Sequence, residues 1–148
     1  MANSRLRAGA KMCQKGRMST PENTDCEDTN KPGKIGWAEL MTSDPQGAIQ
    51  YYTGLFGWET EPFTAGATEY MMFKFEGVPF GGMLKTPTPD IPTHWLNYVN
   101  VADIDAQIAK SAELGGKLCF GPEEIPSVGR IAVLQDPQGA VIGLHQRP

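Results

Sequence analysis

The stretch from residue 129 to residue 146 reads GRIAVLQDPQGAVIGLHQ and predicts a β-hairpin near the end of the chain. Asp136 and Pro137 suit the first two positions of a type I turn and Gly139 the last, because proline presets φ and glycine adopts conformations that other residues avoid. β-Branched and apolar residues flank this turn, as in paired strands. Gly143 and His145 share one face of the second strand, since side chains alternate along a strand.

The same order of strand and helix signals occurs twice along the chain. The first set is a strand at 35–42, a helix at 45–56 capped by Asp44, and strands at 58–64, 70–75 and 80–85. After a proline-rich linker, the second set is a strand at 94–101, a helix capped by Asp103, a strand at 117–120 and the closing hairpin. A shift of 59 residues aligns the two helices, and a shift of 60 aligns the two last hairpins. The chain therefore contains two βαβββ modules.

Length and composition predict one folded domain with a polar tail. A chain of 148 residues that is 40% hydrophobic can bury one ordinary core. Residues 1–33 are polar and lack apolar periodicity, which is typical of a disordered tail. The domain is thus predicted at 34–148, with modules at 34–86 and 93–148.

Charge and apolar patterning disfavour several classes of partner. The chain has 13 basic and 17 acidic residues, and residues 1–33 contain 6 of the basic and 4 of the acidic ones. The domain therefore has 7 basic and 13 acidic residues and a net charge of −6. An acidic domain disfavours nucleic acid as a partner. The absence of a membrane-spanning run or secretory signal predicts a cytoplasmic protein that does not bind membranes. Three cysteines without a C-x-x-C pair indicate reduced thiols, and Cys119 is expected to be a small buried residue.

Several segments resemble the vicinal-oxygen-chelate (VOC) superfamily, which includes glyoxalases, bleomycin-resistance proteins and extradiol dioxygenases. The matching segments are 37–44, 52–59, 81–83, 94–96, 101–106 and 129–140. The similarity is greatest to the small glyoxalase-related branch. It implies an α+β fold in which two tandem βαβββ modules form a curved, incompletely closed mixed sheet around a cleft, with the helices outside. The resemblance also implies a small-molecule ligand, and by analogy a homodimer.

The resemblance also locates the positions where metal enzymes of this superfamily carry their ligands. One ligand lies on the first strand of each module and one on the last, which corresponds to Trp37, Met83, Leu96 and Gly143 in this sequence. None of these residues is a usual ligand of a hard or borderline divalent metal. A slip of one residue in the alignment would turn each side chain to the other face. We therefore predict no metal and no other cofactor.

Glu39 is the main candidate for chemistry, because it is predicted to lie on a buried strand face with Trp37. A buried carboxylate has a raised pKa unless it is paired, and Glu39 is then a candidate general base or a site for a cationic ligand. The alternative is a structural hydrogen bond to Tyr98, its equivalent at a shift of 59. In the first interpretation Glu39, together with Tyr98, is the catalytic candidate.

The predicted ligand-contacting residues are Trp37, Met83, Leu96, Arg130, Gly143 and His145, and Phe73 is a further candidate for the aromatic lining. Most of them have an ordinary structural alternative. His145 is either an acid–base group or a solvated residue near the chain end. Arg130 either holds a substrate carboxylate or is ion-paired. His94 is expected to cap the linker.

Two functions from different classes are compatible with these residues. The first is a metal-independent VOC protein that binds a small organic molecule in the cleft, with lyase- or isomerase-type activity from Glu39 and Tyr98. The second is a non-catalytic protein of the bleomycin-resistance kind that sequesters a cationic or aromatic compound. A metal-dependent glyoxalase or dioxygenase is disfavoured by the missing ligands.

Overall fold

The computed structural model describes residues 30–148 apart from residues 66 and 67. Its elements follow the predicted order. They are β1 (Ile35–Thr42), α1 (Pro45–Phe56), β2 (Glu59–Ala65), β3 (Thr68–Phe75), β4 (Val78–Lys85), β5 (His94–Asn100), α2 (Ile104–Glu113), β6 (Lys117–Ile125), β7 (Gly129–Gln135) and β8 (Val141–Gln146). The two modules are therefore present, each with one helix between its first two strands.

Both helices begin at the predicted aspartate caps. The Asp44 carboxylate accepts a hydrogen bond of 3.0 Å from the Gly47 amide, and Asp103 accepts an equivalent bond of 3.0 Å from Ala106. Each bond satisfies an amide of the first turn that has no partner within the helix. α1 ends at Gly57, whose φ of 68° lies in the left-handed region that glycine adopts without steric cost.

The closing hairpin forms as predicted. The Gly139 amide donates to the Asp136 carbonyl at 3.0 Å, which is the bond that closes a four-residue β-turn. The Asp136 carboxylate accepts further bonds of 2.9 Å from the amides of Gln138 and Ala140. One aspartate side chain thus stabilises most of the turn.

All eight strands form one mixed sheet in the order β2-β3-β4-β1-β5-β8-β7-β6. Within each module the first strand is parallel to the last, as β1 is to β4 and β5 is to β8. The antiparallel pairing of β1 with β5 joins the modules. The sheet does not close, because β2 and β6 remain as edges. This confirms the predicted α+β architecture of two βαβββ modules in an open mixed sheet.

The two helices pack on the same face of the sheet, each over its own module. Under α1 the buried core consists of Leu40, Phe73 and Met83, and in the second module Ile104 of α2 packs on Ala132, Leu134 and Leu144 of the sheet. The Trp95 indole of β5 donates a hydrogen bond of 3.0 Å to the Tyr52 hydroxyl of α1, so the first helix also contacts the second module. Among the described residues the opposite face of the sheet carries no helix, and we call it the helix-free face.

Two details differ from the sequence prediction. β6 is longer than the predicted 117–120 and, as an edge strand, is exposed along almost its whole length. Cys119 is consequently exposed and not buried as expected.

Residues 1–29 of the predicted disordered tail lie outside the described residues, whereas Gly33 donates a backbone hydrogen bond of 2.8 Å to Asn100. Neither α1, α2 nor any other helix in the described ranges has the length and apolar character needed to cross a membrane.

Candidate functional site

The pairing of β1 with β5 brings several predicted residues together at the middle of the helix-free face. Trp37 lies opposite Tyr98, and Glu39 lies opposite Leu96. Residues directly opposite each other in an antiparallel pair point to the same side of the sheet. Leu40, which follows Glu39 and points to the other side, is in the core under α1, and this fixes the direction of the alternation. The site is therefore built on the two strands that join the modules.

Glu39 is buried there and is hydrogen-bonded to Tyr98. Only 8% of Glu39 is exposed, and its Oε1 accepts a bond of 3.0 Å from the Tyr98 hydroxyl. The hydrogen bond predicted between these two residues is thus present. Because a buried carboxylate without hydrogen-bond donors is costly, this bond stabilises the ionised form.

Tyr70 is a second tyrosine in the same network, and it was not among the predicted site residues. Its hydroxyl accepts a hydrogen bond of 2.8 Å from the Trp37 indole, and its phenol also interacts electrostatically with the Glu39 carboxylate. Tyr70 shares the helix-free side of β3 with Met72, which lies opposite Gly82. The alternation of Tyr70 and Met72 was visible in the sequence, but the pairing of β3 with β4 was needed to assign it to this face.

Two glycines leave the space that the tyrosine rings occupy. A Cβ atom on Gly82 would overlap the Tyr70 hydroxyl oxygen, and one on Gly143 would overlap Cδ1 of Tyr98. Real Cβ atoms do not approach other atoms so closely, so any side chain at either position would displace a ring. Gly82 and Gly143 therefore position the tyrosines that bind Glu39.

The same two glycines correct the alignment of the modules. Gly82 lies beside Glu39 in the first module, and Gly143 lies beside Tyr98 in the second. Their separation is 61 residues, whereas the sequence alignment used 60 and placed Met83 at this position. Met83 is instead paired with Leu40 and is 2% exposed in the core under α1. Its prediction as a ligand contact was wrong, because a one-residue shift changes the face.

Arg130 and Phe73 also lie on the helix side of the sheet. Arg130 forms a bidentate ion pair with Asp105 of α2, at 2.6 and 3.0 Å. Of the two alternatives predicted for Arg130, the ion pair is therefore the one that is present, and its guanidinium does not face the helix-free side. Phe73 is fully buried under α1, so it does not line this face either.

Burial raises the pKa of the Glu39 carboxyl. Loss of hydration is the largest cause, and the hydrogen bonds from Tyr98 and Tyr70 and the charge of His94 oppose it. Burial also raises the pKa of Tyr98 and Tyr70, and the nearby Glu39 charge adds to the effect. Both phenols therefore remain protonated donors, and Glu39 is the group of this network whose protonation changes most readily.

Each histidine on the helix-free face has one ring nitrogen bound to a backbone carbonyl. His94 Nδ1 lies 2.7 Å from the Pro92 carbonyl oxygen, and His145 Nε2 lies 2.8 Å from that of Val128. A carbonyl only accepts, so these nitrogens carry the proton in the neutral rings. The capping role predicted for His94 is present, and the half-buried His145 is anchored to the turn before β7.

The residues on this face do not fit the divalent metal that the resemblance implies for the metal enzymes of the superfamily. The corresponding positions that face the same side are Trp37, Gly82, Leu96 and Gly143, and none offers a carboxylate, imidazole or amide oxygen. Within the described part of the chain, no three His, Cys, Asp or Glu side chains group as a metal site would require. No chemical step is therefore assigned to a metal.

Solved structures share this arrangement of strands and helices. A hypothetical protein from Bacillus halodurans, BH1468, superposes with a TM-score of 0.59 at 11% identity over 78% of this chain and 94% of its own. A variant methylmalonyl-CoA epimerase from Streptomyces coelicolor, in complex with 2-nitronate-propionyl-CoA, superposes with a TM-score of 0.56 at 19% identity. The superposition covers 76% of this chain and 96% of the epimerase chain. At these identities the similarity shows a common fold.

Two curated relatives are similar in sequence. The protein of Mycobacterium bovis named "Putative glyoxylase CFP32" is 39% identical over 116 residues, which cover 78% of this chain and 44% of that protein. The anthracycline biosynthesis protein DnrV of Streptomyces peucetius is 28% identical over 131 residues, which cover 78% of this chain and 48% of DnrV. This chain thus spans about half the length of the curated relatives it matches.

The match to a family model covers most of the domain. Residues 34–144 match the model for the Glyoxalase/Bleomycin resistance protein/Dioxygenase superfamily. These residues contain α1, α2 and all of the strands except the end of β8. Together with the fold, this match shows that the chain belongs to the glyoxalase, bleomycin-resistance and dioxygenase superfamily.

Proposed function

We propose that this chain binds a small organic molecule on the helix-free face and transfers a proton with Glu39, as a metal-independent lyase- or isomerase-type enzyme. One observation carries the proposal. A carboxylate that is 8% exposed lies at the centre of this face, is hydrogen-bonded to Tyr98 and interacts electrostatically with Tyr70. Glu39 is the proposed catalytic residue, and Trp37, Leu96 and Tyr98 are proposed to surround the ligand.

The raised pKa of Glu39 suits it to proton transfer. A general base works best when its pKa is close to the working pH, because it is then both available and basic. In the proposed reaction, ionised Glu39 accepts the proton from a hydroxyl-bearing carbon next to a carbonyl, which leaves an enediolate. Protonated Glu39 then returns the proton to the former carbonyl carbon, while the hydroxyl proton moves to the former carbonyl oxygen, so that the first carbon becomes the new carbonyl. Tyr98 and Tyr70 hold the carboxylate in place through both steps.

The relatives support two aspects of the proposal. CFP32 is named a putative glyoxylase, which supports an activity on a carbonyl compound. DnrV is named for anthracycline biosynthesis, which supports an aromatic ligand. Both aspects remain proposals for this chain, which covers less than half of either protein.

The test uses the hemithioacetal of phenylglyoxal and 2-mercaptoethanol, because its isomerisation to a thioester is the proposed proton transfer on an aromatic molecule. Thioester formation is followed by ultraviolet absorbance with a metal chelator present. We expect turnover by the wild type and a loss of about 100-fold or more in Glu39→Gln, which is the usual contribution of a general base. Glu113→Gln, which changes an exposed glutamate of α2, is the matched control. Equal turnover in Glu39→Gln, or loss of turnover with the chelator, would contradict the proposal.

A non-catalytic binding protein is the second candidate. Its support is the hydrogen-bond network on this face, in which Trp37 donates to Tyr70 and Tyr98 donates to Glu39. Such a network can serve a rigid binding surface without any turnover. Calorimetry that detects binding of an aromatic compound, with no turnover in the assay above, would favour sequestration.

A cytoplasmic homodimer is part of the proposal and rests on analogy with the superfamily. Light scattering of the full chain after size-exclusion chromatography tests the dimer. A mass of one chain at all concentrations would contradict it.

A further inference from the structure

We propose that the helix-free face selects its aromatic ligand by charge, taking uncharged or cationic molecules and rejecting anionic ones. This rests on the proposed function, since it requires that the ligand binds on this face. It concerns the class of ligand and is independent of whether turnover occurs.

The charges on the four central strands support this selection. The side chains of β4, β1, β5 and β8 that point to the helix-free face within the described residues are Pro79, Leu84, Trp37, Glu39, Met41, His94, Leu96, Tyr98, Asn100, Val141 and His145. This set contains one carboxylate, Glu39, and neither lysine nor arginine. A bound anion would therefore meet a like charge and no permanent cation.

The cations of β3 and β7, the two strands that flank these four, are bound to carboxylates. Lys74 of β3 lies 2.6 Å from Glu61 and is also attracted to Glu59. Arg130 is held by Asp105 on the opposite side of the sheet. Neither cation is available to an anion beside Glu39 without breaking an existing ion pair.

The burial of Glu39 makes the like-charge repulsion significant. Two charges a few ångströms apart repel far more strongly in a partly buried site than in water. The titratable groups that face Glu39 are Tyr98 and His94 from β5 and Tyr70 from β3. Both phenols stay neutral, because burial and the Glu39 charge raise their pKa. An anion consequently binds better as the pH falls, when Glu39 is protonated.

Aromatic groups supply the apolar part of the site. The rings of Phe63 and Tyr70 meet edge to face with centroids 6.3 Å apart, and the half-buried Trp37 indole is bonded to the same Tyr70. Flat aromatic ligands gain both apolar burial and ring contacts on such a surface. A cationic aromatic ligand is also attracted electrostatically to the faces of these rings.

Three probes of nearly equal size separate the effect of charge from that of shape. 1-Naphthol is uncharged, 1-naphthylmethylamine is a cation and 1-naphthoate is an anion at pH 7. Isothermal titration of the full chain is expected to give affinities for the first two that exceed the affinity for 1-naphthoate by about tenfold or more. In Glu39→Gln the affinity for 1-naphthoate should rise toward that for 1-naphthol, whereas Glu113→Gln should behave as the wild type.

A second variant tests the missing cation directly. Leu84→Arg places a guanidinium on the helix-free side of β4, and it should increase the affinity for 1-naphthoate. If this variant does not fold, the comparison of wild type with Glu39→Gln still decides the matter. Equal binding of 1-naphthoate and 1-naphthol by the wild type would overturn the charge selection and leave the proposed function intact. Binding of none of the three would overturn the aromatic class, while turnover of the hemithioacetal is measured separately.

Discussion

The Tyr98 hydroxyl donates a hydrogen bond of 3.0 Å to Oε1 of Glu39 across the strand pair that joins the two modules. These residues are equivalents in the two modules, at a separation of 59 positions. At this equivalent position the first module has a hydrogen-bond acceptor, Glu39, and the second has a donor, Tyr98. The pairing of β1 with β5 brings the two side chains together, and their hydrogen bond forms because one is a carboxylate and the other a phenol.

The raised pKa of Glu39 predicts how stability depends on pH. A carboxyl whose pKa is higher in the folded than in the unfolded state binds its proton more tightly when folded, so its contribution is fully present at low pH. That contribution decreases as the pH rises from the unfolded value through the raised folded value. The free energy of unfolding of the wild type minus that of Glu39→Gln should therefore fall with rising pH. Urea denaturation of both proteins at a series of pH values measures it, and a difference that increases with pH would contradict this prediction.

Tyr98→Phe should destabilise the protein by about 1.5–3 kcal/mol at pH 8, because a buried ionised carboxylate loses a hydrogen-bond donor. The cost should be smaller at acidic pH, where Glu39 is protonated. Tyr51→Phe is the matched control, since Tyr51 is 60% exposed on α1. Chemical denaturation at both pH values provides the measurement, and a cost independent of pH would indicate that Tyr98 acts only through packing.

Gly143→Ala should destabilise the protein by about 1–3 kcal/mol, because the new methyl group overlaps the Tyr98 ring. Gly54→Ala tests the specificity of this effect. Gly54 lies in α1, and a methyl group added there would have open space within 4 Å, so alanine should stabilise the helix by about 0.5–1 kcal/mol. Thermal or urea unfolding distinguishes the two, and a neutral Gly143→Ala would show that the ring moves without cost.

The backbone contacts of the histidines predict opposite tautomers. Neutral His94 should carry its proton on Nδ1 and neutral His145 on Nε2. Long-range ¹H–¹⁵N correlation spectra of the neutral rings identify the protonated nitrogen directly. Rapidly exchanging tautomers at His94 would mean that its bond to Pro92 is not maintained in solution.

Local signals in the sequence predicted much of the fold. The Asp44 and Asp103 caps, the Gly57 stop and the Asp136 turn each depend on a few neighbouring residues, and each is present. The repeat of these signals predicted two modules, and the alternation around Glu39 predicted that Trp37 and Glu39 share a face.

The tertiary structure decided which side chains meet. Whether Gly82 or Met83 lies beside Glu39 depends on the register between β1 and β4, and a shift of one residue reverses the face of every side chain. The hairpin β3–β4 has a register irregularity between Phe73 and Lys74, and an alignment of sequence segments does not show it. For the same reason Tyr70 was not predicted as a site residue.

The sequence by itself therefore determined the order of elements, the two modules and the buried carboxylate at Glu39, because caps, turns and alternation are local properties. Only the tertiary structure showed that Gly82 and Gly143 accommodate Tyr70 and Tyr98, which bind this carboxylate. These contacts join strands that are distant in sequence, and their geometry depends on register and on the packing of neighbouring rings.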